Sequence, residues 1–526
     1  MTLTITRRGE DVKKLEQPLF RLYLSVLQKN FMNRTRAPLA LFDGGSIFAH
    51  AATCEIPGER IGSMAPLLLA RAALRAVRED RRDPHLWRAI ANRGREVVSS
   101  LDPQSLASLA FSFASQKMRD NSLMAKIAEE AARRIREFSV RDLSLLLASF
   151  SRLEIRSDLL FTLASKSIAR EAATLPATEL SEFFHSFGAL QYHHPTLFPV
   201  LIKRVAALSG TLSPGQVTKI FAAAGKLGLK DEKLLAILAV EASKQMSSFT
   251  PAHLAIIANA SMRLNMQNRF MLELLASEVF TRKAELPTQG VALILNACVN
   301  LGIGSQLLFD SLVYRVIHES KNFDIKSIVM CTSAISRLPV RNEEMTRQIF
   351  TAAGDRIAAE AGKLTPSLLS SLLEAFAATG QRHGPLLFHA PLFVAGNLGK
   401  FTFDQIAVVL KTFATFAIAD DRLFDALVPK LPELVAAETE KWRSREDVPD
   451  EVVPVIVCLA EAVKKPCQLT SVVDCLESFA RLYMPAPEAT HALLDAFSLR
   501  SAEATPSDHD RVAKAVSTLQ ITQLVE

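Results

Sequence analysis

Aliphatic residues recur along this chain at a fixed interval of 37 positions. Steps of 37 from Leu106 reach an aliphatic residue every time as far as Ile328; one step of 41 then reaches Leu369, and a further 37 reaches Ile406. The full series is Leu106, Leu143, Leu180, Val217, Leu254, Val291, Ile328, Leu369 and Ile406. We call each of these residues the anchor of its unit and give other positions as offsets from it. A constant period of this length is typical of helical-repeat arrays.

Each unit carries the pattern of two amphipathic helices. Apolar residues at offsets 0, 3, 7 and 10, such as Leu143 and Phe150, form one stripe of a first helix, helix A. A second stripe at offsets 17, 18 and 21, such as Leu234 and Leu238, predicts helix B. Asp, Ser, Thr and Asn recur at offsets −4 and 14, where they would cap the two helices, and His194 takes the second of these positions in its unit.

These hairpins predict an all-α protein, because one helical pair cannot bury both stripes and neighbouring pairs must stack. We expect an α-solenoid of about nine regular 37-residue hairpins over residues 102–441. A degenerate basic capping hairpin over 61–101 precedes them, and an irregular helical cap over 442–526 follows. Residues 1–60 would be an N-terminal extension, either an import segment or a docking helix, with an amphipathic helix near residues 11–31. The four extra residues before Leu369 should lengthen helix B or the turn near 358–362.

The helix A pattern L-x-x-L-x-x-x-F-x-x-L, seen from Leu143 to Leu153 and from Leu180 to Leu190, resembles heptatricopeptide and octotricopeptide repeats, relatives of pentatricopeptide proteins. The resemblance implies organellar RNA binding of the apicomplexan mitochondrial type, in which repeat proteins hold fragmented ribosomal RNA. It therefore implies the mitochondrial matrix as location, and rRNA fragments with mitoribosomal or other organellar proteins as partners. Many relatives end in a RAP domain, but no strand-rich segment follows Trp442, so we expect that module to be absent.

The charge of the chain is unevenly placed. Residues 1–170 carry 28 Lys and Arg against 18 Asp and Glu, whereas residues 431–526 carry 9 against 16. Four arginines near the start, spaced by 4, 3 and 4 residues, would share one helix face and suit bidentate contacts with phosphate. They are Arg71, Arg75, Arg78 and Arg82. The alternative is a solvated helix face that the acids at positions 79, 80 and 83 neutralise.

A second candidate surface lies on helix A. Offsets 2, 5, 6 and 9 are predicted to point away from the buried stripe, and offsets 5 and 9 are repeatedly basic or polar. Amides can bond base edges, and cations can neutralise phosphates. The candidate RNA-binding residues are Arg152, Lys226, Asn259, Arg263, Asn296, Asn300, Ser333 and Arg337. The alternative is that small residues at offset 6 and apolar ones at offset 2 mark a packing or protein-contact surface.

Other chemistry is poorly supported by the sequence. The motifs H-E-x-x-H and G-x-S-x-G and a glycine-rich phosphate loop are missing, so we expect no enzyme, no cofactor, no metal and no small-molecule substrate. His193 and His194 fall in a turn and are expected to be structural. The six cysteines form no C-x-x-C pair and should be buried, reduced thiols. The uncharged stretch from Leu286 to Phe309 is too polar for a membrane span and predicts two helices with a turn.

Two functions fit these patterns. The first is a non-catalytic mitochondrial protein that holds single-stranded or fragmented ribosomal RNA as a mitoribosome component or assembly factor. The second is a protein-binding solenoid scaffold in a mitochondrial complex, without direct RNA contact. In the second case the half-apolar offset 2 positions would touch a partner chain, and the acidic last hundred residues would meet a basic one. Those positions are Leu145, Ile256, Leu293, Met330 and Val408.

Overall fold

The structure is a computed structural model, and it describes residues 58–339, 342–446, 467–484 and 486–519. Its contacts divide the chain into two units, residues 1–64 and residues 65–526. In the first unit the described element is a 3-10 helix over Gly58–Ser63. The amphipathic helix predicted near residues 11–31 lies outside the described residues. Every regular element described in the second unit is helical.

The second unit is a succession of helical hairpins, each made of a helix A and a helix B. The first five are α1 (Pro66–Arg78) with α2 (Pro84–Val97), α3 (Pro103–Ser115) with α4 (Asn121–Arg133), α5 (Val140–Arg152) with α6 (Asp158–Glu171), α7 (Ala177–Ala189) with α8 (Leu197–Ala207), and α9 (Pro214–Leu227) with α10 (Glu232–Lys244). The next four are α11 (Pro251–Leu264) with α12 (Arg269–Thr281), α13 (Thr288–Leu301) with α14 (Gln306–His318), α15 (Ile325–Ser336) with α16 (Glu343–Ala359), and α17 (Pro366–Thr379) with α18 (Gly384–Asn397). The series ends with α19 (Phe403–Thr415), α20 (Asp421–Leu427), α21 (Leu431–Glu446), α22 (Leu469–Arg481), α23 (Pro487–Leu499) and α24 (Pro506–Thr518).

The hairpins stack into two layers, which confirms the predicted all-α solenoid. Each helix A packs against the helix A of the next hairpin, and most B helices pack against the next helix B in the same way. The A layer is the tighter one. A Cβ atom added to Gly188 would lie 2.7 Å from the Cα of Ala223, and one added to Gly225 would lie 3.0 Å from the Cα of Ala260. These contacts need glycine, because a side chain would push the two backbones apart.

The core follows the predicted stripes. Phenylalanines at offset 7, including Phe113, Phe150 and Phe413, are among the largest fully buried side chains. Complete burial of such a side chain contributes about 1.5–3 kcal/mol to folding. Phe479 of α22 is also buried. It stands at offset 7 from Val472, which is therefore a further anchor. The apolar column thus continues into residues that the period alone did not reach.

The 37-residue register extends beyond the units recognised in the sequence. Leu69 lies 37 positions before Leu106 and is fully buried in α1. Asp83, at offset 14 from Leu69, caps α2 by accepting a hydrogen bond from the backbone N–H of His85. The first described hairpin is therefore regular in its geometry, although its composition is basic. At the other end, Val472 in α22 and His509 in α24 are again 37 residues apart.

Ten of the described hairpins turn through a residue in the left-handed region, whereas the α15–α16 hairpin has Pro339 at this place. These residues, at offset 11, are Asp80, Lys117, Glu154, Gln191, Gly228, Asn265, Gly302, Gly380, Ala417 and Tyr483. The next backbone N–H donates to the carbonyl at offset 7, as from Met118 to Phe113 at 2.9 Å, which closes the end of helix A. Six of the ten are neither glycine nor asparagine, the residues that favour this conformation. The packing of the two helices, rather than local preference, sets this turn.

Most predicted caps are confirmed, but Ser157 precedes α6 without a capping hydrogen bond from its side chain, and the cap predicted at His194 is wrong. Asp120, for example, accepts a hydrogen bond from the backbone N–H of Leu123 at 2.8 Å. His194 does not cap α8, which starts at Leu197 after Thr196. The Nδ1 atom of His194 lies 3.2 Å from the hydroxyl of Thr196. The ring nitrogen therefore shares a hydrogen bond with this hydroxyl and not with a backbone N–H of α8.

Two further sequence predictions are confirmed by helix lengths. The extra residues before Leu369 lengthen α16, which has 17 residues where most other B helices have 13 or 14 and α8 has 11. The uncharged stretch from Leu286 to Phe309 forms α13 and the start of α14, separated by a turn at left-handed Gly302. Among the residues described, no helix combines the length and apolar character that crossing a membrane requires.

Candidate nucleic-acid interface

The exposed arc of helix A is narrower than the sequence predicts. Residues at offset 6, such as Ser112, Ser186 and Ala297, are fully buried. Ala223 and Ala260 at this offset are the residues that meet Gly188 and Gly225 of the preceding A helices. The prediction that offset 6 faces solvent is therefore wrong, because helix A contacts two neighbouring A helices as well as its own helix B. The small residues serve close helix packing, as the alternative interpretation proposed.

Offset 9, in contrast, presents cations to solvent. Arg152, Lys226, Arg263 and Arg337 are all exposed on the A layer, and we call them the A-layer cations. None of the four has a carboxylate within ion-pair distance in the part of the chain that the structure describes. The guanidinium of Arg152 lies 6.0 Å from the ring centroid of Phe111, which gives it an aromatic neighbour but no counter-charge. Their charge is therefore available to an anionic ligand.

Three of the predicted residues meet in one hydrogen-bonded cluster. Arg337, which directly follows α15, donates from Nη2 to Asn296 Oδ1 at 2.8 Å and from Nη1 to Asn300 Oδ1 at 2.9 Å. Its Nε donates to the backbone carbonyl of Ser333 at 2.9 Å. The Nδ2 of Asn300 donates to the backbone carbonyl of Asn296 at 2.6 Å. The two amides thus orient the guanidinium, and their acceptor oxygens are already occupied, which argues against base reading by these side chains.

The remaining predicted polar residues are less accessible. Asn259 and Ser333 are both half-buried on the A layer. Ser333 contributes to the cluster through its backbone carbonyl, not through its hydroxyl. Of the eight helix A candidates, the structure therefore leaves mainly the A-layer cations and Asn300 exposed.

Two of the four predicted arginines near the start form ion pairs with neighbouring acids. Arg75 pairs with Glu79 at 2.6 Å, and Arg82 pairs with Asp80 at 3.1 Å. Arg78 is exposed at the end of α1, and partial desolvation lowers the pKa of its guanidinium. The predicted single face of four arginines is wrong, because α1 ends at Arg78 and the left-handed turn carries Arg82 away from it. Arg71 is exposed and has no ion-pair partner among the described residues.

Several other arginines have structural roles. A guanidinium near the end of helix B donates to the carbonyl that precedes helix A of the same hairpin. Arg134 donates to Leu101 at 2.7 Å, and Arg282 donates to Phe249 at 2.6 Å. Such bonds fix the return turn, and they remove these cations from any ligand-binding role.

Sequence reasoning missed two residues beside the A-layer cations. Lys219 on α9 is paired with Glu182 on α7, so this charge is neutralised. His185 is half-buried next to them, and burial lowers its pKa, with nearby cations acting in the same direction and Glu182 opposing them. The imidazole is therefore neutral at neutral pH. Lys219 at offset 2 and His185 at offset 5 lie on the predicted exposed arc, which was the available signal, but the residue types at these offsets vary between units.

Metal and thiol chemistry find no support in the described ranges. They contain no cluster of three His, Cys, Asp or Glu side chains that could hold a metal ion. Cys298 is buried, and desolvation raises the pKa of its thiol to about 12. Cys331, Cys467 and Cys475 are also free and buried. These four thiols stay protonated, which fits the structural role predicted for them, while Cys54 and Cys458 lie outside the described residues.

Two protein-family models match the sequence. The RNA-editing substrate-binding complex 8 protein, RESC8, matches residues 90–390. The RNA-editing substrate-binding complex 6 protein, RESC6, matches residues 279–523. No curated protein matches the chain in sequence.

Solved structures give distant alignments. A chain of the full-length AP-3 complex in an intermediate open conformation aligns at 10% identity and a TM-score of 0.34, covering 96% of this chain and 89% of its own. The pentatricopeptide repeat protein PPR10 from maize aligns at 10% identity and a TM-score of 0.18, covering 87% of this chain and 94% of its own. Both TM-scores are low, so neither structure superimposes on this chain as a whole.

The family matches support the broad form of the predicted resemblance. They indicate a helical-repeat protein associated with RNA, and not heptatricopeptide or octotricopeptide proteins in particular. The RESC8 model matches more than half of the 526 residues. The chain therefore belongs to the RNA-editing substrate-binding complex 8 protein family.

Proposed function

We propose that this chain is a non-catalytic component of an RNA-editing substrate-binding complex and that it holds single-stranded RNA along its A layer. One observation carries the proposal: the A-layer cations recur at one offset and have no carboxylate partner among the described residues. Lys226 and Arg263 lie on consecutive hairpins, and Ala189 and Asn300 take offset 9 in the hairpins that separate them from Arg152 and Arg337. Cations repeated along one face in this way can neutralise phosphates spaced along a strand. The family membership supports RNA as the ligand.

The contacts should be mainly to the RNA backbone. Phosphate contacts position a nucleic acid but carry no sequence information. The amides of Asn296 and Asn300, which could have read base edges, are occupied by Arg337. We therefore propose binding with weak sequence preference and strong salt dependence. For the identity of the RNA, the family favours substrates of RNA editing, while mitochondrial ribosomal RNA stays a prediction from the repeat resemblance.

The test compares two triple charge reversals on the full chain. The first variant is Arg152→Glu, Lys226→Glu and Arg263→Glu on the A layer. The matched control is Lys166→Glu, Lys203→Glu and Lys233→Glu, three exposed cations of B helices without an ion-pair partner in the described ranges. Both variants change the net charge equally, so general electrostatic attraction falls equally in both. RNA affinity is measured by filter binding of a mixed-sequence single-stranded RNA over a salt series.

We expect the A-layer variant to lose most RNA binding and the control to keep it. The slope of log affinity against log salt should fall by about one for each phosphate contact removed. Equal losses in both variants would overturn the A-layer site. A parent chain that does not bind RNA at low salt would favour the protein-scaffold function instead.

A further inference from the structure

The imidazole of His185 lies on the A layer between two of the A-layer cations. His185 is half-buried at offset 5 of α7, while Arg152 ends α5 on one side and Lys226 lies near the end of α9 on the other. The helix α7 packs against both α5 and α9. These three side chains therefore belong to one continuous stretch of the A layer.

The side chains next to the imidazole are small. Ala189 follows it by one helical turn at offset 9, the position that holds a cation in four other hairpins. Offset 5 itself is Ala148 on the preceding A helix and Ala222 on the following one. His185 is thus the longest side chain at these four positions, and none of the three alanines extends over its ring. The exposed part of the ring is open to a flat ligand.

The imidazole is uncharged and has no internal hydrogen bond. Its ring nitrogens have no partner among the described residues, whereas the oxygens of Asn296 and Asn300 accept from Arg337. Burial lowers the pKa of His185, so the ring is neutral at neutral pH. A neutral ring cannot neutralise a phosphate. Its contribution to RNA binding would be a contact with a base.

The charges around the ring favour an anionic ligand. Glu182, one turn before His185 on α7, is paired with Lys219 on α9. The charged groups that act on the imidazole are this pair together with Arg152 and Lys226, which makes three cations against one carboxylate. Glu154, in the turn after α5, is exposed and forms no ion pair with Arg152. The two cations that flank the ring are therefore available to phosphates.

We propose that His185 is a base-stacking residue of the A layer, with Arg152 and Lys226 holding the phosphates on either side of the stacked nucleotide. This inference rests on the proposed function, because it adds a base contact to the backbone contacts of the same site. Imidazole rings serve as platforms for unpaired bases. Such stacking accepts every base, because each has a π-face. The contact would select single-stranded RNA without selecting a sequence, since the bases of a duplex are already paired and stacked.

The test uses the full chain and two RNA probes of equal length. One is a mixed-sequence single strand, and the other is the same ribose-phosphate backbone without bases. Both probes carry the same phosphates, so the ratio of their affinities, measured by filter binding, reports base contacts alone. His185→Ala and His185→Gln remove the ring, and His185→Phe keeps one. The matched control is Asn259→Ala, since Asn259 is half-buried at offset 5 of α11 and has no ring.

We expect the parent chain to bind the base-bearing probe more tightly than the abasic one, by at least about fivefold. The two affinities should approach equality in His185→Ala and His185→Gln, while His185→Phe and Asn259→Ala should keep the parent ratio. A further variant, Lys226→Ala, should weaken both probes by the same factor and leave the ratio unchanged. Circular dichroism verifies that each variant keeps the helix content of the parent.

The outcomes separate the stacking contact from the proposed function. Equal affinity of the parent for both probes would overturn the stacking contact and leave RNA binding along the A layer intact. So would a parent ratio kept by His185→Ala, or a loss of equal size in Asn259→Ala. A ratio kept by His185→Gln but lost in a folded His185→Phe would show a hydrogen bond in place of stacking. A parent chain that binds neither probe at low salt would overturn the proposed function and this inference together.

Discussion

Arg337 at the end of α15 donates a hydrogen bond to the side-chain oxygen of Asn300 on α13 at 2.9 Å, and this bond joins two consecutive hairpins on the exposed side of the A layer. The bond gives the two residues different roles. The charge of the guanidinium remains available to a ligand, while the amide oxygen accepts the hydrogen bond that orients that guanidinium. The exposed polar positions of the A layer therefore offer mainly cations and few amides that could hydrogen-bond a base.

Replacing Asn296 and Asn300 together by Ala should weaken RNA binding without changing base preference. The guanidinium of Arg337 would lose the two acceptors that orient it and would hold a phosphate less well, and hydrogen bonds with a charged partner such as these contribute at most about 1.5–3 kcal/mol each. Competition between RNA homopolymers measures both affinity and preference. Ser333→Ala is the control, because the Ser333 hydroxyl is not part of the cluster. A change in the order of the homopolymers would show that the amides read bases after all.

Gly188→Ala should destabilise the fold. The new Cβ would lie 2.7 Å from the Cα of Ala223, and a backbone neighbour cannot rotate away, so overpacking should cost about 1–3 kcal/mol. Denaturant unfolding of the full chain measures the loss. Gly215→Ala is a suitable control, since nothing lies within 4 Å of its added Cβ. If both variants unfold at the same denaturant concentration, the A helices are not in the close contact described.

Lys117→Gly should stabilise the protein. Lys117 has a φ of 55°, which costs an L-residue about 1 kcal/mol and costs glycine little. The higher entropy of glycine in the unfolded chain offsets part of this gain. Gly228→Ala, at the same offset of another hairpin, should have the opposite effect. Thermal unfolding gives the melting temperatures of the two variants. Shifts of the same sign relative to the parent would contradict the turn geometry.

The fold should become less stable as the pH falls through the range where His185 titrates. Burial lowers the pKa of His185 in the folded state, so the unfolded chain binds the proton more readily, and stability rises with pH in that window. The stabilisation is complete above the unfolded pKa of about 6.5 and is lost towards the lower folded value. Urea unfolding between about pH 5 and pH 8 measures this. His185→Gln should flatten the dependence, and an unchanged slope would place the titrating group elsewhere.

The sequence predicted the framework because the framework depends on residues that repeat. The anchors, the caps such as Asp120 and the longer α16 all follow from apolar spacing and from a local preference for helix ends. The C-terminal continuation at Val472 was missed, since residues between it and Ile406 break the interval of 37. A period search detects only units at a constant distance.

The details of the candidate site were less predictable, for physical reasons. A helical wheel cannot show that Ser112 is buried, because that depends on a neighbouring helix 37 residues away. Lys117 and Ala417 do not favour left-handed backbone, so no local signal marks their turns. The pairing of Arg75 with Glu79 was open to prediction from spacing alone, whereas the contact of Arg337 with two asparagines of another hairpin was not.

The two layers of the stack have a consequence for how this chain could work in an assembly. Unpaired cations stand on both layers, with Arg152, Lys226 and Arg263 on A helices and Lys166, Lys203 and Lys233 on B helices. A strand bound along the A layer would leave the B layer uncovered. The opposite side of the helical stack would then stay accessible to a second ligand while the first is held.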